Sequence, residues 1–445
     1  NLPHAMLFLI AVFSGSVYGG SISAILINIP GTPGAIVTQM DGYPMARNGR
    51  AGEALTYALL ASTLGGMLGW ILLVILAPMI ASVALAFQSP EYAAIALFGL
   101  AMLAYSSPGS TFLGLIAGVI GLLVATVGLD PTTDVERFTF GFGSLQLGLG
   151  IIPAAVGIFG IAEVLKGIEH GGPRLKPIER LSRMMPPWKE ASRLWVTGLR
   201  GSIIGAFVGA IPAAGSAIAV AVAYAQEKRR SKNPDKFGTG IPAGIVAPES
   251  ANNACVGGAL IPLITLGIPG DSMTAVLVGA LLIHGLRPGP AMFEQHLDFV
   301  AIVYVALLFA VAATLAIGLV GNRYFARILR APRPMLLTAV TVLCIVGSYA
   351  VRNSLYDVVV MIGFGGVGYV MNRVGIPTAP VIFGMVLGPI LEENVRRSMI
   401  IYDDWSVFVT RPISAAVLAI SLATLVLPGL RALAGQLARR KARRA

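Results

Sequence analysis

The stretch ALIPLITLGIPGDSMTAVLVGALLIHGL, residues 259–286, is apolar enough for lipid, yet Ile268-Pro269-Gly270-Asp271-Ser272 interrupts its middle. Proline lacks an amide donor and clashes with the preceding turn, and glycine adds backbone freedom, so no continuous helix is expected here. Such a break needs a reason, because backbone groups released from a helix find no water inside hydrocarbon.

The rest of the chain makes the membrane setting secure. Over 445 residues it is 56% hydrophobic and 12% charged, with a mean hydropathy of +0.80, which leaves an integral membrane protein as the fitting class. Apolar runs recur along the whole length, so they are not a signal peptide ahead of a soluble body. The net charge of +11 sits in short clusters between those runs; that pattern sets topology and excludes a nucleic-acid-binding face. Cys255 and Cys344 lie in apolar segments and read as buried packing residues. His4, His170, His284 and His296 have no ligand spacing, and GxxxxGK[ST], HExxH and GxSxG are absent. No enzyme and no cofactor is expected. GFGGVG, residues 363–368, sits inside an apolar span and reads as helix-packing glycine.

Four basic clusters order the spans: Arg174 to Arg193, Lys228 to Lys236, Arg323 to Arg333, and the tail from Arg431. All four are expected in the cytoplasm. Between the first two lies VTGLRGSIIGAFVGAIPAAGSAIAVAVAYAQ, residues 196–226, broken at Pro212 to Gly215. With both flanks on one side it is expected to enter and return as a re-entrant hairpin. The opening stretch then crosses once, as half-helices near 251–267 and 272–285, and residues 5–40 cross the other way, broken at Ile29-Pro30-Gly31-Thr32-Pro33-Gly34. The expected fold is all-α, with about ten transmembrane spans. It divides into a first repeat over 1–169, a cytoplasmic linker over 170–195, a second repeat over 196–430 and a basic tail over 431–445.

GGSISAILINIPG (19–31) and GGALIPLITLGIPG (257–270) share a double glycine, an apolar stretch and Ile-Pro-Gly, with eight intervening residues in one copy and nine in the other. They run in opposite directions in the expected topology. Broken helices at matching positions of inverted repeats mark a midplane transport site in secondary transporters. A helix N-terminus there suits an anion, and free carbonyls suit Na+ or a proton-carrying species. The candidate substrate residues are Gly19, Gly20, Ser21, Asn28, Pro30, Gly31 and Thr32 in the first copy; Pro212, Gly215 and Ser216 in the hairpin; and Pro269, Gly270, Asp271 and Ser272 in the second copy. Asn28, Thr265, Gly267 and Ser272 form a candidate Na+ set. VAPESANNACVGG, 246–258, adds Asn252 and Asn253, whose amides offer contacts to substrate or ion; helix capping by Ser250 or Asn252 and a first-turn position for Glu249 are the blander readings.

Longer stretches carry a resemblance. YGGSISAILINIPGTPGAIVTQMDGYPMARNGRAGEAL (18–55), EKRRSKNPDKFGTGIPAGIVAPESANNACVGGALIPLITLGIPG (227–270), LLIHGLRPGPAMF (281–293), GLDPTTDVERFTFG (128–141) and GPILEENVRRS (388–398) resemble the large membrane subunit of the tripartite tricarboxylate transporters. The resemblance implies a permease of the bacterial inner membrane, with a cytoplasmic C-terminus, that imports a tricarboxylate, dicarboxylate or related organic acid. It further implies work with a small membrane subunit and a periplasmic solute-binding protein, driven by an Na+ or H+ gradient. Two departures stand out: the family's Pro-Gly-Ile-Gly turn is Pro212-Ala213-Ala214-Gly215 here, and an earlier hydrophobic element with its own such turn is expected to be lacking. A stand-alone organic-anion exporter or channel and a non-transporting membrane scaffold are the rival readings.

Overall fold

The computed structural model describes residues 2–106, 110–130, 133–169, 184–212, 214–328 and 333–426. The expected basic tail and most of the 170–195 linker lie outside them, as does Ala213. The longer helices, in chain order, are α1 (Leu2–Ile27), α2 (Ala35–Met45), α3 (Ala51–Ala84), α4 (Ser89–Ser106), α5 (Thr111–Ala125) and α6 (Ile151–Glu169). They continue as α7 (Trp195–Gly209), α8 (Gly215–Arg230), α9 (Ala243–Leu266), α10 (Ser272–Ile283) and α11 (Leu297–Ile328). The last are α12 (Arg333–Arg352), α13 (Leu355–Arg373), α14 (Ala379–Tyr402) and α15 (Pro412–Val426). Six described helices are long and apolar enough to cross a membrane, with four shorter apolar ones beside them. The chain is an all-α, multi-pass membrane protein.

It forms two compact units, residues 1–85 with 170–339 and residues 86–169 with 340–445. These units cut across the expected repeats: each repeat gives its first part to one unit and its last part to the other.

The first unit is built around α9. Every residue from Gly244 to Thr265 is buried, so this helix meets protein on all sides. Glycine makes that possible. A Cβ on Gly65 would strike the Ser250 carbonyl, one on Gly69 would lie 2.6 Å from the Ala254 oxygen, and one on Gly209 would lie 2.7 Å from the Cys255 oxygen. Gly201 and Gly205 press on Ala247 and Ala251 in the same way. Rows of glycine four residues apart on α3 and α7 thus bring both backbones against α9, and the rising order of contacts makes the three helices parallel. Tyr18, Ile25, Met45, Leu55, Tyr57, Leu59 and Ile245 fill the core around the lower half of α9.

α7 and α8 fold back on each other. The Thr197 hydroxyl near the start of α7 donates to Glu227 near the end of α8 at 2.8 Å, and Arg200 reaches the same carboxylate at 3.4 Å. The fifteen residues of α7 span roughly 22 Å, short of a hydrocarbon core of about 30 Å. Gly215, with φ 71°, takes the left-handed conformation that starts α8.

In the second unit, α14 packs on α5 through Gly384 and Gly121, whose Cα faces the Gly384 side at 2.8 Å from a built Cβ. Two of the sequence motifs meet here. Arg137 of the 128–141 stretch pairs with Glu392 at 2.7 Å, and Arg396 pairs with Asp130 at 2.9 Å. Arg411 pairs with the buried Glu91 at 2.6 Å. Gly365 and Gly368 of the GFGGVG stretch rest on Ile161, Ile158 and Ala162 of α6, so these glycines serve helix packing.

Candidate functional site

Two breaks in the first unit share one geometry. Asn28 (φ 56°) and Gly267 (φ 73°) each end a helix in the left-handed conformation. The Ile29 amide then donates to the Ser23 carbonyl at 3.4 Å, and the Ile268 amide to the Pro262 carbonyl at 3.2 Å. Both bonds span six positions, one more than the 6→1 bond of a Schellman cap, and satisfy a helix-end carbonyl. The chain next doubles back: Gly31 settles over Gly20 and Gly270 over Ala259. A constant shift of 239 positions relates every member of these pairs, which places Gly20 opposite Ala259 and absorbs the one-residue difference in spacing between the sequence copies.

The copies are antiparallel. Gly34 abuts Asn252, Thr38 bonds Glu249, and Asp41 abuts Gly244, so α2 descends as α9 ascends; Gly42 against Ile25 sets α2 parallel to α1. The first break lies level with Asn252 and the second with Ala259, about 10 Å apart along α9, on either side of its middle.

The arms differ from the expected half-helices. α1 and α9 have 26 and 24 residues, while α2 and α10 have 11 and 12. Each break joins a full-length helix to a short one, because the chain retreats about two turns before the short helix begins. α9 also starts well before residue 251, with Pro248 inside it. Ser250 and Asn252 therefore do not cap, and Glu249 is not a first-turn acid.

Glu249 is the centre that the sequence undervalued. It is fully buried and accepts hydrogen bonds from Ser21 at 2.6 Å, from Thr38, and from Ser62 at 3.2 Å. Asn253 donates to Ser62 at 2.8 Å and to the Glu249 carbonyl at 3.1 Å. α1, α2, α3 and α9 are thus tied at one carboxylate. One turn further along, Asn252 is 1% exposed with both carboxamide atoms unpartnered, and the Thr32 hydroxyl and Gln39 carbonyl oxygen are also buried without partners. No side chain caps the start of α2. The Ala35 and Ile36 amides at the start of α2 donate to the Thr32 and Pro33 carbonyls at 3.0 and 3.4 Å, so the unsatisfied polar part of the site is the Asn252 carboxamide and the Thr32 hydroxyl.

The second break is closed by contrast. Asp271, read as a midplane ligand, caps α10: it accepts from the Thr274 amide at 2.8 Å, and the Thr274 hydroxyl accepts from the Asp271 amide at 2.9 Å. That capping box consumes the N-terminal donors expected to meet substrate. Pro269 and Gly270 are buried against Ala259 and the Gly209 carbonyl, and Ser272 opens α10. Thr265 donates to Ile261 in its own helix. Asn28 is exposed at the end of α1, whereas Thr265, Gly267 and Ser272 belong to the far end of α9, so the four do not assemble into one ion site. Gly19 faces an apolar groove with Gly15 and Ile317, and Pro30 is half-buried in the first turn. Pro212, Gly215 and Ser216 shape the α7–α8 turn beside the second break. Cys255 and Cys344 are buried free thiols.

Asp41 was not singled out in the sequence. It is buried, and its oxygens accept from the Gly238, Gly240 and Ile241 amides at 2.9–3.0 Å and from the Tyr224 hydroxyl at 2.8 Å. It fastens the loop that feeds α9. Its place in the QMDGYPMARNGR run, directly after the first break, was the available signal.

Residues 2–383 match the tripartite tricarboxylate transporter TctA family. An uncharacterized 52.8 kDa protein from the TAR-I ttuC′ 3′ region of Agrobacterium vitis is 39% identical over 434 residues, covering 95% of this chain and 84% of that protein. A second uncharacterized protein, from the TAR-II ttuC′ 3′ region of the same organism, is 38% identical over 234 residues, 50% of this chain and 93% of that protein. No solved structure matches. With a match over most of its length and a relative of this similarity, the chain belongs to the TctA family and is a membrane component of a tripartite tricarboxylate transporter.

Proposed function

We propose that this chain is the large permease subunit of a binding-protein-dependent secondary transporter. It imports a tricarboxylate, dicarboxylate or related organic acid across the bacterial inner membrane and uses an Na+ or H+ gradient. A small membrane subunit and a periplasmic solute-binding protein complete the system, and the C-terminus is cytoplasmic. The substrate carboxylate docks at the first break, on the Asn252 amide and the Thr32 hydroxyl.

The observation that carries this reading is the unpartnered Asn252 carboxamide, buried against Gly34, with the unpartnered Thr32 hydroxyl in the same break. Buried polar groups are ordinarily paired, so these atoms support a ligand that completes them. A scaffold gives no reason for such a gap, and an exporter or channel has no need of a binding protein.

The test is uptake of labelled organic acids into proteoliposomes carrying the complete transporter, an imposed ion gradient and added binding protein. A hydrogen bond to a charged group contributes about 1.5–3 kcal/mol, so Asn252→Ala and Thr32→Val should each lower uptake roughly 10- to 100-fold at subsaturating substrate. Wild-type uptake in both variants overturns the site. Uptake without the binding protein favours the exporter or channel.

A further inference from the structure

We propose that Glu249 is a proton-binding coupling site, taking up and releasing one proton at Oε2 as the helices around it move. The assignment of a transport cycle rests on the function proposed above; the protonation itself does not.

Three acids inside the first unit have different surroundings. Asp41 is held by three backbone amides, which can only donate. Asp271 is locked into a helix cap by the Thr274 amide. Glu249 is held only by hydroxyls, from Ser21, Thr38 and Ser62. A hydroxyl donates or accepts as its hydrogen rotates, so this cage satisfies both the carboxylate and the carboxylic acid. Oε1 receives two of the bonds, while Oε2 receives the single longer one from Ser62 at 3.2 Å. A proton placed on Oε2 donates to the Ser62 oxygen, and the Ser62 hydrogen turns to a carbonyl of its own helix, its usual alternative. No other bond is made or broken.

Neighbouring charges leave the position free for this role. Among the described residues no ion pair reaches Glu249. On α1, Tyr18 donates to Asn322 at 2.7 Å. On α2, Asp41 is engaged by the 238–241 loop. On α3, Tyr57 lies more than a turn before Ser62. On α7 and α8, Arg200 is paired with Glu227, and Tyr224 with Asp41; on α10, Asp271 serves its cap. A charge at membrane depth with no countercharge marks a proton or ion pathway. The cage joins four helices, and the substrate-facing Asn252 lies one turn away on α9, so a change at Glu249 is felt where the carboxylate docks.

Two measurements test this. First, infrared difference spectra of the purified wild-type protein in liposomes are recorded across a pH series, with Glu249→Gln as the assignment control. A carboxylic C=O band that grows on acidification and is missing in Glu249→Gln is expected. A Glu249 that stays in one form throughout, or a band that responds to Na+ and not to pH, overturns the proposal. Second, the complete transporter is assayed for substrate counterflow and for pH-gradient-driven accumulation. Glu249→Gln, which imitates the protonated side chain, should keep counterflow within a few-fold and lose accumulation at least tenfold; undiminished accumulation overturns the coupling role. If no organic acid is taken up even by wild type, the function proposed above fails while the infrared titration still decides the proton site.

Discussion

Gly270 lies over Ala259 at the second break as Gly31 lies over Gly20 at the first, and a Cβ on Gly270 would stand 2.6 Å from the Ala259 Cα and 2.9 Å from the Gly209 carbonyl. The approach involves two backbones, so no side-chain rotation can relieve an added group. Overpacking at such a contact costs about 1–3 kcal/mol or more. Gly270→Leu is expected to insert and assemble yet lose uptake, whereas Ala259→Gly, which removes a methyl from the same contact, should cost only about 1 kcal/mol of helix stability. Normal uptake by Gly270→Leu in proteoliposomes would reduce the break to a packing kink.

The α7–α8 hairpin makes a topological prediction. Thr197 and Glu227 are bonded across its open end, and α7 is too short to cross, so both ends should face the cytoplasm. Cysteines placed at the exposed Trp195 and at Arg229, in a chain lacking Cys255 and Cys344, should react with an impermeant thiol reagent from the same side. Reaction from opposite sides would break the inverted arrangement.

The breaks were legible in the sequence because proline and glycine act locally, through a missing amide and a permitted left-handed φ. Asn28 and Gly267 carry that signature wherever the rest of the chain goes. The lengths of the arms were hidden, since the retreat from Asn28 to Gly31 along α1 is a tertiary contact with Gly20. Asp271 looked like a ligand because a capping carboxylate and a binding carboxylate are the same residue in sequence; only Thr274 distinguishes them. Glu249 was undervalued for the opposite reason. Its partners Ser21, Thr38 and Ser62 are 187 to 228 residues away, and each alone is an unremarkable helix hydroxyl.

In the second unit, Arg137 and Glu392 are 22% and 25% exposed and pair at 2.7 Å. Partial exposure screens such a pair, so a double-mutant cycle of Arg137→Ala and Glu392→Ala should return a coupling of about 1 kcal/mol, read from unfolding in detergent. A coupling near zero would mean that the 128–141 and 388–398 motifs meet without supporting each other.

Asp41 gives the sharpest stability prediction, because replacing it in two ways separates shape from charge. Its Oδ1 accepts from Gly238, Gly240 and Ile241, and its Oδ2 from Tyr224 and Gly238. Asparagine keeps one oxygen of the right shape for the three amides and presents an amino group to Tyr224, whose hydroxyl can turn to accept. Asp41→Asn should therefore cost about 1–2 kcal/mol, the difference between charged and neutral hydrogen bonds. Alanine removes the acceptor altogether and strands amides in a partly buried loop, at about 1–3 kcal/mol for each group left unpaired. Asp41→Ala should then cost several kcal/mol, enough to release the 238–241 loop from the start of α9. Proteolysis at that loop and thermal unfolding of the purified protein measure the two variants side by side. Equal stability of Asp41→Ala and Asp41→Asn would show that the amides find water, and that Asp41 is not what fastens α9 to the first break.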